Sequence, residues 1–94
     1  MKRVAARRVF LDTGVLLAAV LPRDPDHEAA VALLHRLADG AWASAHTSDY
    51  VVAEALNFVW MKVKRRDTAE ALLAVVFGTE EVPPALDPPV RIHG

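Results

Sequence analysis

The stretch that decides the fold is VFLDTGVLLAAV, from Val9 to Val20, in which the triplet Asp12-Thr13-Gly14 directly follows a short apolar run. The partly β-branched residues before Asp12 favour a buried strand. Two kinds of enzyme place an aspartate at such a point. Aspartic proteases carry this triplet after an apolar strand, and metal-dependent phosphodiesterases place an acid at the carboxyl end of one. The rest of the chain has to distinguish them.

Length and composition limit the possibilities. With 94 residues, of which 53% are apolar, residues 1–94 are expected to form a single domain with one modest core. The absence of cysteine excludes disulfides and thiolate zinc sites, and it favours a cytoplasmic setting. No apolar run approaches the roughly 20 residues that span a bilayer, so no membrane association is expected. The net charge of −1 means that nucleic-acid binding would need local basic patches.

Hydrophobic spacing and breaking residues predict alternating strands and helices. Strands are predicted at residues 8–11, 41–45 and 90–93. A first helix is predicted at residues 14–20, and a second is predicted to be capped by Asp24 and ended by Gly40. A third begins after Thr47 or Ser48 and runs into the basic run KVKRR. It is expected to bury Val52, Leu56, Val59 and Val63. A capping-box variant, residues 67–70, opens a fourth helix that ends at Gly78.

The resulting order, β-α-α-β-α-α-β, predicts an α/β fold with a parallel sheet. Long helical crossovers between short buried strands are typical of parallel pairing. A retroviral-type protease is almost entirely β, with glycine-rich hairpins, whereas this chain has four glycines and mainly alanine-leucine helices. The protease interpretation therefore fails. The scattered glycines also form no phosphate-binding loop, and no nucleophile elbow is present.

Two acids remain as candidates for chemistry. Asp12 stands at the end of the first strand, and Glu54 stands in the third helix among apolar neighbours. The crevice at the carboxyl ends of the strands is where open parallel sheets bind their ligands. Two carboxylates brought together there would repel each other unless Mg²⁺ or Mn²⁺ neutralised them. From spacing alone, the alternative stays open that Glu54 is a solvated helix residue and that Asp12 only caps the helix after it.

The segments VFLDTGVLLAAVLPRDPDHEAAVALL and TSDYVVAEALNFV together resemble the first half of a PIN domain of the VapC toxin type. The shared motifs are Asp12-Thr13 after the first strand, the Asp-His-Glu-Ala start of the second helix, and Thr47-Ser48 followed by Glu54. The resemblance extends from Val9 to about His93. It implies a PIN-like parallel sheet with flanking helices. It also implies a metal-dependent endoribonuclease that acts as the toxin of a toxin–antitoxin pair.

The same resemblance assigns roles to individual residues. Asp12 and Glu54 would be catalytic acids that bind Mg²⁺ or Mn²⁺, and Thr13 would support them by holding the loop of Asp12. In this family the metal is thought to activate water and to stabilise charge at the attacked phosphate. The implied partners are an RNA substrate and a VapB-like antitoxin.

PIN domains carry further acids downstream of this pair, on a later helix and after a later strand. This chain ends at Gly94 as its third strand begins, so a truncated PIN-like fold with an incomplete acidic site is expected. Weak or absent RNA cleavage follows from that expectation. The alternative function is a non-catalytic interaction module that associates with itself or with an antitoxin-like helix.

The run of basic residues KVKRR is a candidate for RNA binding. Possible RNA-binding residues are Lys62, Lys64, Arg65 and Arg66. Their alternative role is to complement the dipole at a helix C-terminus.

By resemblance the first strand lies in the middle of a PIN sheet, beside a strand encoded after Gly94. Here it would be an apolar edge, so a homodimer or higher oligomer is expected. Trp42 and Trp60 are expected in the core or at an interface rather than as platforms on which bases stack.

Overall fold

The structure, a computed structural model of the chain, describes residues 7–38, 42–77 and 90–94. Within these residues the elements follow the predicted order and confirm the α/β class. They are β1 (Arg8–Phe10), α1 (Thr13–Val20), α2 (His27–Leu37), β2 (Ser44–Ser48), α3 (Asp49–Phe58), a π-helical segment (Val59–Val63), α4 (Arg66–Phe77) and β3 (Arg91–His93). The predicted helix stops at Gly40 and Gly78 lie outside the described residues.

The three strands form a parallel sheet in the order β1-β2-β3. Val9 lies opposite Ala45, and Ser48 lies opposite His93. Because all three strands point the same way, their carboxyl ends share one edge of the sheet. Asp12 follows β1 at this edge.

The helices bury one face of the sheet. α1 packs against α2, α3 and α4, and α3 packs against β2. The largest fully buried side chains are Leu11, Leu16, Leu37, Val59, Leu72, Val76 and Thr47. Val9 and Ala45 of the sheet belong to this cluster. Since side chains alternate along a strand, their neighbours Arg8 and Ser44 project from the opposite face.

The second strand begins three residues later than predicted and is mostly polar. Ser44, His46 and Thr47 are all buried in it. Hydrogen bonds replace hydrophobic contacts here: the Oγ of Ser44 lies 2.8 Å from Nε2 of His46, and Thr47 Oγ1 donates to the carbonyl of Leu11 at 2.8 Å. A hydrophobic pattern could not locate this strand because its buried residues are satisfied polar groups.

Two of the predicted helix starts were also wrong. α2 begins at His27, because the Asp24 carboxylate accepts the N–H of Asp26 at 2.8 Å and forms a turn before the helix. The capping box does not form either, since Glu70 pairs with Arg66 at 3.2 Å. For α3, Ser48 is the cap, as one of the two predicted residues.

The buried stripe of α3 partly differs from the prediction. Val52 and Val59 are buried as expected, together with Ala55, but Leu56 and Val63 are only half-buried. The helix widens into the π-helical segment at Val59–Val63, which changes the angular spacing of its last residues. Lys64 ends it with a left-handed backbone (φ 57°), a conformation that sequence periodicity does not reveal.

Candidate active site

Asp12 follows β1 at the carboxyl edge of the sheet, with Leu11 between the strand and the acid. Leu11 is fully buried, and its N–H donates to the carbonyl of His46 at 2.6 Å. Asp12 then caps α1, because its Oδ1 accepts the N–H of Val15 at 3.0 Å. The cap holds an exposed carboxylate at the edge where parallel sheets bind ligands.

Glu54 is exposed on α3, and a hydrogen bond joins it to the residue after Asp12. Oγ1 of Thr13 donates to Oε1 of Glu54 at 2.5 Å, between residues 41 positions apart. Thr13 is the first residue of α1, and α1 packs against α3. The fold therefore brings the two predicted acids to neighbouring elements, with Thr13 between them. The hydroxyl of Thr13 bonds to the second acid, a contact that the resemblance had not specified.

Thr47 supports the candidate site, a role that the sequence did not predict for it. It is fully buried near the end of β2, and its Oγ1 donates to the carbonyl of Leu11, the residue before Asp12. This side-chain bond, together with the backbone bonds between the strands, holds the end of β1 against β2. A polar residue between two predicted elements was the available signal, but it was interpreted as a helix cap.

The oxygen donors at this edge suit a hard divalent ion in kind. Mg²⁺ and Mn²⁺ prefer carboxylate oxygens, and Mg²⁺ usually keeps several waters and uses substrate phosphates as further ligands. Asp12 and Glu54 supply two such carboxylates. Across residues 7–38, 42–77 and 90–94, no group of three or more histidine, cysteine, aspartate or glutamate side chains is placed to hold a metal ion. Within the described residues, Asp12 and Glu54 therefore supply two metal ligands, and the protein does not enclose a metal ion completely.

A groove opens beside Asp12, between α1 and α2. Its volume is about 460 Å³, and small apolar side chains such as Val15 and Ala30 line it. Asp24 and Asp26 add two carboxylates to its lining. The groove therefore combines an apolar floor with negative charge next to the candidate site. No sequence pattern indicates this groove, because it depends on how the two helices pack.

A larger groove, of about 600 Å³, lies at the other end of α1 and is lined by Val20, Arg23 and Val63 among others. The acid in its lining, Asp67, already forms two hydrogen bonds with Arg65, at 2.7 and 3.0 Å. Since neither Asp12 nor Glu54 reaches it, size alone does not make it the site.

The predicted basic run lies at the end of the π-helical segment and the start of α4. Two of its cations have acidic partners: Arg65 pairs with Asp67, and Arg66 pairs with Glu70. Lys62 and Lys64 are exposed. Along the helix axis the run is roughly 15 Å from Glu54, at about 1.5 Å per residue. It is a surface separate from the acids rather than part of their immediate surroundings.

Two neighbouring histidines, buried His46 and exposed His93, lie on β2 and β3. Nδ1 of His46 lies 2.8 Å from Nε2 of His93, and the rings stack with centroids 5.1 Å apart. Burial lowers the pKa of His46, and positive charge from His93, Arg8 and Arg91 lowers it further. Burial and the neighbouring positive charges therefore favour the neutral form of His46.

Comparison with known families gives one match. The family model described as PIN domain matches residues 9–93, a span that includes Asp12, Thr13 and Glu54. No curated protein gave a significant match. In the part of the chain that the structure describes, no helix has the length and apolar character needed to cross a membrane.

Proposed function

Because the chain belongs to the PIN domain family, which implies a nuclease-type function, we propose that it is a metal-dependent endoribonuclease of the VapC toxin type. The hydrogen bond from Thr13 to Glu54 carries this proposal. It links the helix that Asp12 caps to the helix of the second acid, which supports a shared site for the two carboxylates. RNA is the proposed substrate.

In the proposed mechanism, Asp12 and Glu54 would hold Mg²⁺ or Mn²⁺ through their carboxylate oxygens, and the ion, when bound, would supply an activated water and charge stabilisation at the phosphate. The hydroxyl of Thr13 orients Glu54, and the bond from the N–H of Val15 orients Asp12. Thr47 keeps the end of β1 in place. These bonds position the two acids before any ligand arrives, which lowers the cost of ordering them.

A homodimer is proposed as the working form. β1 pairs with β2, and no strand covers its other side among residues 7–38, 42–77 and 90–94. Such an edge is a template for association. Trp60 and Met61 are 68% and 58% exposed, which gives the chain a further apolar surface for a partner. Trp60 lies outside the core, so an interface is the remaining one of its two expected roles.

A VapB-like antitoxin is the proposed second partner. The groove beside Asp12 has an apolar floor and two added carboxylates, Asp24 and Asp26. A helix with apolar anchors and basic side chains is complementary to it. Binding there would cover Asp12 and so separate it from RNA.

A non-catalytic interaction module is the second candidate. The observation that favours it is the pair of acids without a third nearby ligand in the described part of the chain. One or two carboxylates bind Mg²⁺ weakly unless phosphate oxygens complete its coordination. The two candidates differ in whether Asp12 and Glu54 bind metal together.

Manganese titration followed by NMR tests the shared site. Mn²⁺ broadens resonances near it, so we expect early broadening of Asp12, Thr13 and Glu54, with weak affinity. Asp12→Asn and Glu54→Gln should each abolish the effect, because each removes a charged ligand. Asp26→Asn is the matched control and should retain it. Broadening that ignores both acids, or that centres elsewhere, contradicts the assignment.

RNA cleavage tests the activity itself. With millimolar Mg²⁺, the chain should cleave a labelled single-stranded RNA weakly or not at all, since few protein ligands hold the metal. Any cleavage must disappear in Asp12→Asn and persist in Asp26→Asn. Metal binding without cleavage, even at high protein concentration, would favour the interaction module. Cleavage that Asp12→Asn leaves intact would indicate a contaminating nuclease and refute the mechanism.

A further inference from the structure

The end of α1 has a backbone carbonyl that the helix itself cannot satisfy. α1 ends at Val20, and Leu21 after it has an extended backbone (φ −111°, ψ 98°). In a continuing helix the carbonyl of Ala18 would accept the N–H four residues on, but that residue is Pro22, which has none. The proline also favours the extended conformation of the residue before it. The carbonyl of Ala18 therefore needs a donor from outside α1.

A side chain of α2 supplies this donor. Nδ1 of His27, the first residue of α2, lies 2.7 Å from the carbonyl oxygen of Ala18. Because a carbonyl only accepts hydrogen bonds, Nδ1 must carry the hydrogen. Ala18 is 2% exposed and His27 is half-buried, so water has little access to the bond. A buried carbonyl without a donor is costly, and the bond is therefore part of the structure rather than an incidental surface contact.

The turn between the two helices places this imidazole. The N–H of Asp24 donates to the carbonyl of Leu21 at 3.0 Å, and its carboxylate accepts the N–H of Asp26. The N–H of His27 then donates to the carbonyl of Asp24 at 3.0 Å. Such side-chain and backbone bonds order a short turn. His27 is thus held by its backbone at the turn and by its ring at α1.

The groove beside Asp12 shares residues with this bond. Ala18 accepts the bond and also lines the groove, and Ala30 lines it from α2. The two carboxylates of the groove belong to the turn that directly precedes His27. A change in the position of α2 on α1 would therefore move an apolar wall and both of these carboxylates together.

Side-chain packing alone is a weak constraint on the shape of this groove. Its lining includes the small side chains of Ala18, Ala29 and Ala30, and a space of about 460 Å³ remains between the helices. Small side chains make few contacts across such a space, so they fix the separation of the helices only loosely. A hydrogen bond with a defined length and direction is a tighter constraint.

We propose that His27 is a positioning residue that holds α2 against α1 and so fixes the shape of the groove beside Asp12. A groove that is ordered before its ligand arrives lowers the cost of binding. That a partner helix occupies the groove rests on the proposed function, whereas the positioning by His27 does not require it.

The tautomer of His27 is the first test, because it can be measured on the unaltered chain. A neutral imidazole without partners prefers to carry its proton on Nε2, whereas the bond to Ala18 requires the proton on Nδ1. A long-range ¹H–¹⁵N correlation spectrum at about pH 8, where an ordinary imidazole is neutral, distinguishes the two forms. We expect the Nδ1–H form for His27 and the Nε2–H form for His35, which is exposed on α2.

Replacement of His27 tests the bond through hydrogen exchange. The N–H of Leu21 donates to the carbonyl of Leu17 at the end of α1, at 3.0 Å. His27→Ala should speed exchange of this amide roughly tenfold, because α1 loses the contact that holds its end. His27→Asn should restore most of the protection, since the amide nitrogen of asparagine takes the place of Nδ1. His35→Ala is the matched control and should leave the exchange unchanged.

The position of α2 can be measured directly with spin labels, because the chain has no cysteine of its own. Ala32 of α2 and Asn57 of α3 are exposed, and α3 packs against α1. Labels at Ala32→Cys and Asn57→Cys should give one narrow distance distribution by pulsed electron paramagnetic resonance. Adding His27→Ala should broaden it, whereas adding His27→Asn or His35→Ala should not.

Three results would overturn the proposal: an Nε2–H tautomer at His27, a His27→Ala variant with unchanged exchange and distances, or no recovery with His27→Asn. If His27→Ala proves unfolded by circular dichroism, His27→Asn and His27→Gln decide, because the longer glutamine does not place a nitrogen at the position of Nδ1. Mn²⁺ binding should persist in His27→Asn. It is measured independently, so failure of the positioning role and failure of the nuclease assignment are distinguishable.

Discussion

The two faces of the sheet differ although the same three short strands form them. Val9 and Ala45 face the helices and join the apolar core, while Arg8 and Ser44, their neighbours in sequence, face the other way. The covered face is the one that hydrophobic spacing predicted, and it stabilises the fold. The other face, which we call the open face, carries Arg8 and Arg91, buried His46 beside exposed His93, and the exposed ring of Phe10. Residues that make the fold and residues available for ligands are thus interleaved at every second position.

The largest expected difference in the free energy of unfolding is between replacing a core residue and replacing the exposed ring of Phe10. Leu16 of α1 is fully buried, so Leu16→Ala should lower the free energy of unfolding by about 2–5 kcal/mol. Phe10→Ala removes a larger side chain, but one that is 54% exposed, and should cost less than about 1 kcal/mol. Urea denaturation followed by circular dichroism measures both. Equal losses would show that the open face is also a packed surface.

A smaller effect is expected where the covered face supports the site. Thr47→Val keeps the shape of the side chain but leaves the carbonyl of Leu11 without its side-chain donor, which should cost about 1–3 kcal/mol. Mn²⁺ affinity should fall as well, because Leu11 precedes Asp12. Thr68→Val on α4 is the control and should change neither quantity much. A stable Thr47→Val variant with unchanged Mn²⁺ binding would remove Thr47 from the site.

On the open face, a moderate effect is expected from pH. The pKa of His46 is lowered by burial and by the charges of His93, Arg8 and Arg91, so the folded chain takes up this proton less readily than the unfolded chain. Stability is therefore lost as the pH falls below the ordinary histidine value of 6.5, until folded His46 itself titrates. Thermal unfolding between about pH 7.5 and about pH 5 measures this loss.

The matched pair for that experiment is His46→Gln and His35→Gln. Glutamine at position 46 keeps hydrogen-bonding groups near Ser44 and His93 but does not titrate, so the pH dependence should become flatter. His35 is exposed on α2, and its replacement should leave the dependence unchanged. If both variants behave alike, the loss at low pH does not come from the histidine pair.

The smallest effect is expected from the ion pair between Arg66 and Glu70. Their side chains are 89% and 67% exposed, so water screens the attraction and the free energy of unfolding should hardly change. A double-mutant cycle with Arg66→Gln and Glu70→Gln measures the coupling. A large coupling energy would mean that this ion pair, as well as side-chain packing, contributes to the stability of the helices.

The sequence predicted those parts of the molecule that follow hydrophobic spacing. The order of elements, the position of Asp12 after β1 and the placing of the α3 cap at Thr47 or Ser48 all depend on local pattern, and the structure confirms them, with Ser48 as the cap. The predicted location of β2 was wrong because its buried residues are polar, and hydrophobic periodicity does not reveal a hydrogen bond such as that of Thr47 to the distant carbonyl of Leu11. The burial of Val63 differed from the prediction because the helix widens at Val59–Val63, which no local sequence preference indicated.

For the candidate site, residue types were predictable and partners were not. Asp12 and Glu54 were singled out by placement and resemblance, but the contact of Thr13 with Glu54 depends on how α1 packs against α3. The groove at Asp24 and Asp26 depends on the same kind of packing, between α1 and α2. Such contacts are properties of the assembled helices, and a single sequence encodes them only through its tertiary structure.

The polar composition of β2 also has a consequence during protein synthesis. Strands β1, β2 and β3 neighbour each other in chain order, so β2 can pair with β1 well before β3 has been made. At about 5–20 residues per second, roughly two to nine seconds separate the synthesis of Ser48, which ends β2, from that of His93. During this interval one edge of β2 has no partner, and an apolar edge would attract other growing chains. We expect the serine, histidine and threonine side chains of β2 to make this unpaired edge less prone to association with other growing chains than an apolar strand would be.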